Sequence, residues 1–245
     1  MQPVFSIIIP AHNEEAALVA TLDRLIESAN MLNEPYEIIV VDDDSSDGTA
    51  AIAQQRNAQV VSVKLRQIAA VRNAGAKHAS GTYLIFVDAD TLVPEPTLWA
   101  AAEALRGGAA GGGALVRFDD DVPMLAQAIG YAAAELFYWF RIATGCFVFA
   151  RRDAFEAVGG FDERFYASEE VWLSKALKRH GRFVVLRDVV ITSGRKIRMH
   201  GMLGLLGTML RLAISGPRAW QRRDGLDFWY DGRREPPPHP QPPLQ

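Results

Sequence analysis

The chain has 245 residues, 49% of them hydrophobic and 22% charged, enough to bury one large core or a domain with an appendage. Its 26 lysines and arginines against 29 aspartates and glutamates leave a net charge of −3, which argues against nucleic acid as a partner, since that would need a broad basic face. The lone cysteine, Cys146, excludes an internal disulfide and multi-cysteine metal frameworks, and a reducing, cytoplasmic setting fits best.

The opening MQPVFSIIIPAHNEE has no basic leader, and its apolar run is too short for a signal peptide, so 4–9 reads as a first strand. Leu18, Leu22, Leu25, Ala29 and Leu32 then fall on one face at helical spacing. A strand over 37–41, a short helix over 47–55, a strand over 59–63, a helix over 67–79 and a strand over 83–87 continue the series. Continuously apolar strands joined by helices point to a parallel sheet covered on both faces. A helix begins at Pro94, since proline suits a first turn. The glycine-rich 107–113 has no register that gives GxGxxG and reads as a flexible connector.

An amphipathic helix is expected over 122–141, with Leu125, Ile129, Ala132, Leu136 and Trp139 in line. A strand follows over 146–150, then a turn at 158–163 and a helix over 169–180. Asp119, Asp120 and Asp121, in a loop before a helix, read as solvated surface. The segment 199–223 joins apolar residues to arginines and suits either an anionic membrane face or packing against the sheet or a second subunit. No apolar stretch approaches the roughly 18 residues of a membrane span. The proline-rich 236–245 reads as a disordered tail.

Two acidic clusters follow apolar strands: VDDDSSDGT at 41–49 and VDADT at 87–91. Ligands of open α/β sheets bind beyond the carboxyl ends of the strands, which is where both clusters lie. If Asp88 and Asp90 are still extended, their spacing aims both carboxylates the same way, and such a pair suits a hard divalent cation, Mg2+ or Mn2+. Taken singly, each cluster is equally a solvated strand end. Ser45, Ser46 and Asp47 are good helix caps, and Asp-Gly is a turn signal.

In order and spacing, the blocks SIIIPAHNEE, IIVVDDDSSDGT, VRNAGAKHASGTYLIFVDADT and GCFVFARRDAF followed by GGFDERFYASEEVWLSKALKRHG resemble the family 2 inverting glycosyltransferases of the GT-A fold. The match runs over about residues 4–185, and the four-block order is more specific than any single block. The resemblance implies a mostly parallel central sheet flanked by helices, with 1–117 as the nucleotide-sugar-binding half, 118–198 as the acceptor-binding and catalytic half, and 199–235 as an appendage. It also implies a nucleoside-diphosphate sugar donor, a divalent metal, and a saccharide, lipid-linked or small-molecule acceptor, with the enzyme cytoplasmic or at the inner membrane surface.

Carried over position by position, the resemblance assigns the nucleoside pocket to Pro10, His12, Glu14 and Asp43, with Asp43 facing the base. Arg72 and Asn73 match residues near the nucleotide, and Asp88 and Asp90 match the metal and diphosphate motif. The catalytic base maps onto Glu170, the second acid of the pair Glu169-Glu170. The family has aspartate there, so the carboxylate is displaced by one methylene, an amount that matters at reacting distances. Asp44 stands where the family usually has glycine, and aspartate tolerates positive φ better than most residues. The Q-x-x-R-W motif of processive synthases is missing. Arg195, Lys196 and Arg198 follow a strand and suit either a closure over the diphosphate or an ordinary basic loop. His200 suits a third metal ligand less well than a packed or exposed surface role. Two rival readings are a nucleotidyltransferase on a similar scaffold, from which the chain departs by lacking a basic glycine-rich loop near its start, and a non-catalytic nucleotide-binding protein.

Overall fold

Strand β1 (Phe5–Ala11) is buried along its whole length and sits between two parallel neighbours, β2 (Tyr36–Asp43) and β4 (Tyr83–Val87). Side chains of a strand alternate between faces, and β1 divides accordingly. Phe5, Ile7 and Ile9 enter one buried cluster with Leu18, Leu22, Leu25 and Ala29 of α1 (Glu15–Asn30). Ile8 enters the opposite cluster with Ala69, Val71 and Ala76 of α3 (Ile68–His78). Both faces are therefore apolar, which is why these strands read as continuous hydrophobic runs.

The computed structural model describes residues 2–119, 122–195, 197–199, 201, 207, 220, 221 and 223. The remaining elements among them are α2 (Thr49–Gln55), β3 (Gln59–Val63), β5 (Thr91–Leu92), α4 (Glu95–Arg106), β6 (Gly111–Phe118), α5 (Met124–Trp139), β7 (Phe147–Arg151), α6 (Arg152–Ala157), α7 (Glu169–Leu177) and β8 (Phe183–Thr192). The strand order is β3-β2-β1-β4-β7-β6-β8-β5. Ladders β1·β2, β1·β4, β2·β3 and β6·β8 are parallel, whereas β4·β7, β6·β7 and β5·β8 are antiparallel. The chain winds outward from β1 to β2 and β3, then returns to place β4 on the other side of β1. This reversal opens a crevice beyond the carboxyl ends of β1 and β4.

Two expectations fail on packing. The glycines of 107–113 are not all connector: Gly111, Gly112 and Gly113 open β6 and are buried between β7 and β8. A Cβ on Gly112 would lie 2.0 Å from the carbonyl oxygen of Val184 and 2.3 Å from the Phe149 ring, so glycine is required by close approach and not by flexibility. Helix α5 also presents the opposite face from the one its bulky residues indicate. Its buried residues are Ala126 and Ala134, and a Cβ on Gly130 between them would come within 2.6 Å of the Phe118 ring. The helix seats its small face on β6, and Leu125, Leu136 and Trp139 point outward. The 199–235 appendage and the proline-rich tail lie almost entirely outside the described residues, as do Lys196 and His200.

Candidate functional site

The turn Asp88-Ala89-Asp90 lies at the exit of β4, where Thr91 donates its N–H to the Asp88 carbonyl at 3.1 Å. The chain has left the strand at Val87, so the two aspartates take their directions from a turn and not from extended backbone. Helix α1 fixes this turn from below, the buried Thr21 hydroxyl donating to the Ala89 carbonyl at 2.9 Å. From the other side, the Asp88 N–H donates to the Cys146 carbonyl at 3.1 Å.

Two buried guanidinium groups grip the two aspartates. Arg72 of α3, only 2% exposed, donates to Asp88 at 2.7 Å, to Glu169 at 2.6 Å and to the Gly145 carbonyl at 2.6 Å. Its guanidinium also lies 5.2 Å from the centre of the Phe161 ring, within cation–π range. Arg195, in the segment after β8, forms a bidentate pair with Glu14 at 2.9 and 3.0 Å and reaches Asp90 at 3.3 Å. This is the planar fork geometry that arginine suits. Residues separated by up to 181 positions are thus brought to a single turn. Asp88 belongs to one network and Asp90 to the other.

Glu169 and Glu170 begin α7, and Ser168 before them adopts φ +61°, a left-handed conformation rare for a residue with a Cβ. Glu169 is buried against Arg72. Burial lifts its carboxyl above the usual range, an effect that Arg72 opposes. Glu170 is only partly buried, and burial followed by the Glu169 charge push its carboxyl up to about 8. The Glu170 carboxyl lies beside Gly145, where a Cβ would be in ordinary contact at 3.6 Å from its carboxyl carbon. Cys146 is no nucleophile here: burial and then the Asp88 charge push its thiol up to about 12.

The other acidic strand end is organised by backbone contacts. The Asp43 carboxylate, expected to face a base, accepts the N–H groups of Leu65 at 2.7 Å and Arg66 at 2.9 Å and is buried. It pins the loop before α3, a use that two nearby amides explain. His12 Nδ1–H donates to the Asp43 carbonyl at 2.7 Å, and its Nε2 lies 3.3 Å from Asn13 Nδ2. Asp44 has φ +60°, the conformation in which aspartate substitutes for glycine. Asp47 accepts the N–H groups of Thr49 and Glu15 at 3.0 and 3.2 Å, a capping role. Pro10 lies buried near the end of β1, opposite Val41.

Asn73, expected near a nucleotide, is engaged by the loop at Phe161–Glu163. Its amide donates to the Phe161 carbonyl at 2.8 Å and to Glu163 at 2.9 Å, and its carbonyl accepts the Phe161 N–H at 2.9 Å. Both ends of the side chain hold the GGFDE loop that leads into α7. Asp119 is not merely solvated: it accepts the N–H of Gly194 at 3.1 Å and pairs with Arg198 at 3.1 Å, latching the segment that carries Arg195. The sequence reading did not include Gly145 and Cys146, which act through their carbonyls, or Thr21, a hydroxyl on an apolar helix face. Among the described residues no three His, Cys, Asp or Glu side chains form a cage for a metal ion.

Residues 6–159 match the model of the family described as glycosyl transferase family 2. An undecaprenyl-phosphate 4-deoxy-4-formamido-L-arabinose transferase of Serratia proteamaculans is 40% identical over 97 residues, 36% of this chain but only 29% of that relative's length. Among solved structures, a mannosyltransferase of Pyrobaculum calidifontis in complex with GDP-Man and Mn2+ aligns over 89% of this chain and 66% of its own, with TM-score 0.65 and 23% identity. A glucosyl-3-phosphoglycerate synthase of Mycobacterium tuberculosis with Mn2+ and UDP aligns over 87% and 78%, with TM-score 0.59 and 20% identity. These likenesses show the fold, an α/β domain of GT-A type.

Proposed function

Because the chain belongs to glycosyl transferase family 2, we propose that it is a metal-dependent inverting glycosyltransferase, moving a sugar from a nucleoside-diphosphate donor to an acceptor hydroxyl. The observation that carries this reading is the linkage of Asp88 to the Glu169-Glu170 pair through one buried guanidinium, Arg72. A donor diphosphate at the acidic turn and an acceptor at the start of α7 would then share one cleft. Residues 1–117 form the donor half in this reading and 118–198 the acceptor half.

Asp88 and Asp90 fit a divalent metal in kind, being two hard carboxylates on one turn. Such an ion supplies charge neutralisation to the departing diphosphate. Glu14 and Asp90 hold Arg195 beside it as a fixed positive charge. His12 and Asp43 shape the wall on the nucleoside side.

On the acceptor side, Glu170 takes the hydroxyl proton as that oxygen bonds to the anomeric carbon. The bond from that carbon to the diphosphate oxygen breaks on the opposite face, its electron pair leaving with the diphosphate, so configuration inverts. A carboxyl raised towards neutrality is suited to accept this proton. Incubation with a panel of nucleotide sugars plus Mn2+ tests the reading by release of nucleoside diphosphate. Failure of every donor in the panel to release nucleoside diphosphate, with or without acceptor, would overturn it.

A second reading of the acceptor rests on the relative named as an undecaprenyl-phosphate transferase. A lipid phosphate brings an oxygen that is already ionised and needs no base. Glu170→Gln would then retain turnover with a lipid phosphate, whereas it abolishes turnover with a hydroxyl acceptor. On this second reading the acceptor is lipid-borne and the enzyme works at a membrane face.

A further inference from the structure

Helix α5 reads MLAQAIGYAAAELFYW, with Gln127 and Glu135 its only strongly polar side chains. Because its small residues face β6, the bulky ones are left outward among the described residues: Met124, Leu125, Tyr131, Leu136 and Trp139 are all more than half exposed, as is Phe140 at its end. An outward apolar face of this extent on a water-facing helix marks an interaction surface. The single carboxylate among these residues, Glu135, is neutralised by Arg187 at 2.7 Å.

The surroundings of this face are cationic. Lys178 Nζ donates to the Phe140 carbonyl at 2.8 Å. Arg141 and Lys175 lie near enough to add to the burial that lowers its pKa. The Arg187 guanidinium stacks 3.9 Å from the centre of the Tyr138 ring. Aromatic rings between an apolar face and a cationic rim are the composition of a helix lying in a bilayer interface. Met124 and Tyr131 also line an apolar cleft of about 330 Å³ with Val116 and Phe118, large enough to admit part of a lipid tail.

We propose that the outward face of α5, rimmed by Arg141, Lys175 and Lys178, seats the protein on an anionic lipid surface. This deepens the lipid-borne acceptor reading and rests on it for its purpose. The chain runs from the end of α5 directly to Gly145, whose carbonyl binds Arg72, so a bilayer under this face borders the acceptor side of the cleft.

The test is flotation of the full chain with phosphatidylcholine vesicles and with vesicles enriched in phosphatidylglycerol, with no acceptor present. The parent should float with the anionic vesicles. Leu136→Glu combined with Trp139→Glu, both at exposed positions, should cut the bound fraction by about tenfold or more while leaving the circular dichroism spectrum and nucleotide binding unchanged. Arg141→Ala with Lys175→Ala should weaken binding to anionic vesicles alone, in a salt-dependent way. The proposal is overturned if the double glutamate variant floats as well as the parent, which would place the contact elsewhere, for example after residue 199. It is equally overturned if the parent ignores vesicles but forms a dimer that those glutamates break. Turnover with a detergent-dispersed acceptor tests the acceptor reading separately, since it needs no vesicle.

Discussion

Replacing Arg72 with methionine removes the guanidinium that joins Asp88, Glu169 and the Gly145 carbonyl while keeping most of the buried volume. The side chain of Glu169 is 6% exposed and that of Asp88 34%, so Asp88 turns to water and the loss concentrates at Glu169. Leaving one member of a buried ion pair without its partner costs about 3–5 kcal/mol, a large part of the roughly 5–15 kcal/mol that holds a domain together. The sign with pH follows from burial, which raises the Glu169 carboxyl, more strongly once Arg72 no longer opposes it. A carboxyl raised above its unfolded value of about 4.3 favours the fold below that pH and disfavours it as pH rises through the folded value. Urea unfolding followed by circular dichroism should therefore show the full loss near pH 8 and a smaller one near pH 5. Adding Glu169→Gln should recover more than half of it. A loss under about 1 kcal/mol near pH 8, or an equal loss at both pH values with no recovery from Glu169→Gln, would refute the assignment of Arg72 as the strut of the site.

Glu170, pushed up to about 8, likewise favours the fold below about pH 4.3 and ceases to do so as pH rises through its folded value. Glu170→Gln should thus gain stability over the parent as pH rises from about 4 to 8 and equal it near pH 4, as read by denaturant midpoints. In the parent, kcat/KM for a hydroxyl acceptor should climb as pH rises towards about 8, because the base must be ionised. Asp44, at φ +60°, should accept glycine without loss of thermal stability, whereas Asp44→Val should cost about 1–2 kcal/mol. Gly112→Ala should destabilise by about 1–3 kcal/mol or prevent soluble accumulation, because the added Cβ meets the Val184 carbonyl at 2.0 Å; a neutral result would mean β6 and β8 can separate.

The doubly covered sheet was legible because a strand buried on both faces must be apolar at every position, as β1 is. The acidic strand ends were legible because two such clusters follow apolar strands of one sheet, although Asp43 and Asp47 turn out to serve backbone N–H groups. Arg72 was harder: an arginine on a helix ordinarily faces water, and its burial depends on acids 16 and 97 positions away. The Arg195–Glu14 pair spans 181 positions and leaves no local trace. For α5, periodicity identifies a bulky stripe and a small stripe on opposite sides but does not say which one packs. The ring of Phe118 against Gly130 decided in favour of the small one. Ser168 gives no sign of its left-handed φ because serine carries no glycine-like signal. Asn73 was expected near a nucleotide, and its bonds to the two backbone groups of Phe161, 88 positions away, leave no local trace.

The central claim is that the acidic turn and the start of α7 serve one reaction, the first holding the donor and the second activating the acceptor. Calorimetric titration of a nucleoside diphosphate in the presence of Mn2+, run on Asp90→Asn and Glu170→Gln beside the parent, with turnover of a hydroxyl acceptor measured on the same samples, tests it most directly. The account predicts that Asp90→Asn loses Mn2+-dependent binding, and that Glu170→Gln binds as the parent does yet releases no product. Full binding by Asp90→Asn, or undiminished turnover by Glu170→Gln with that acceptor, would contradict it.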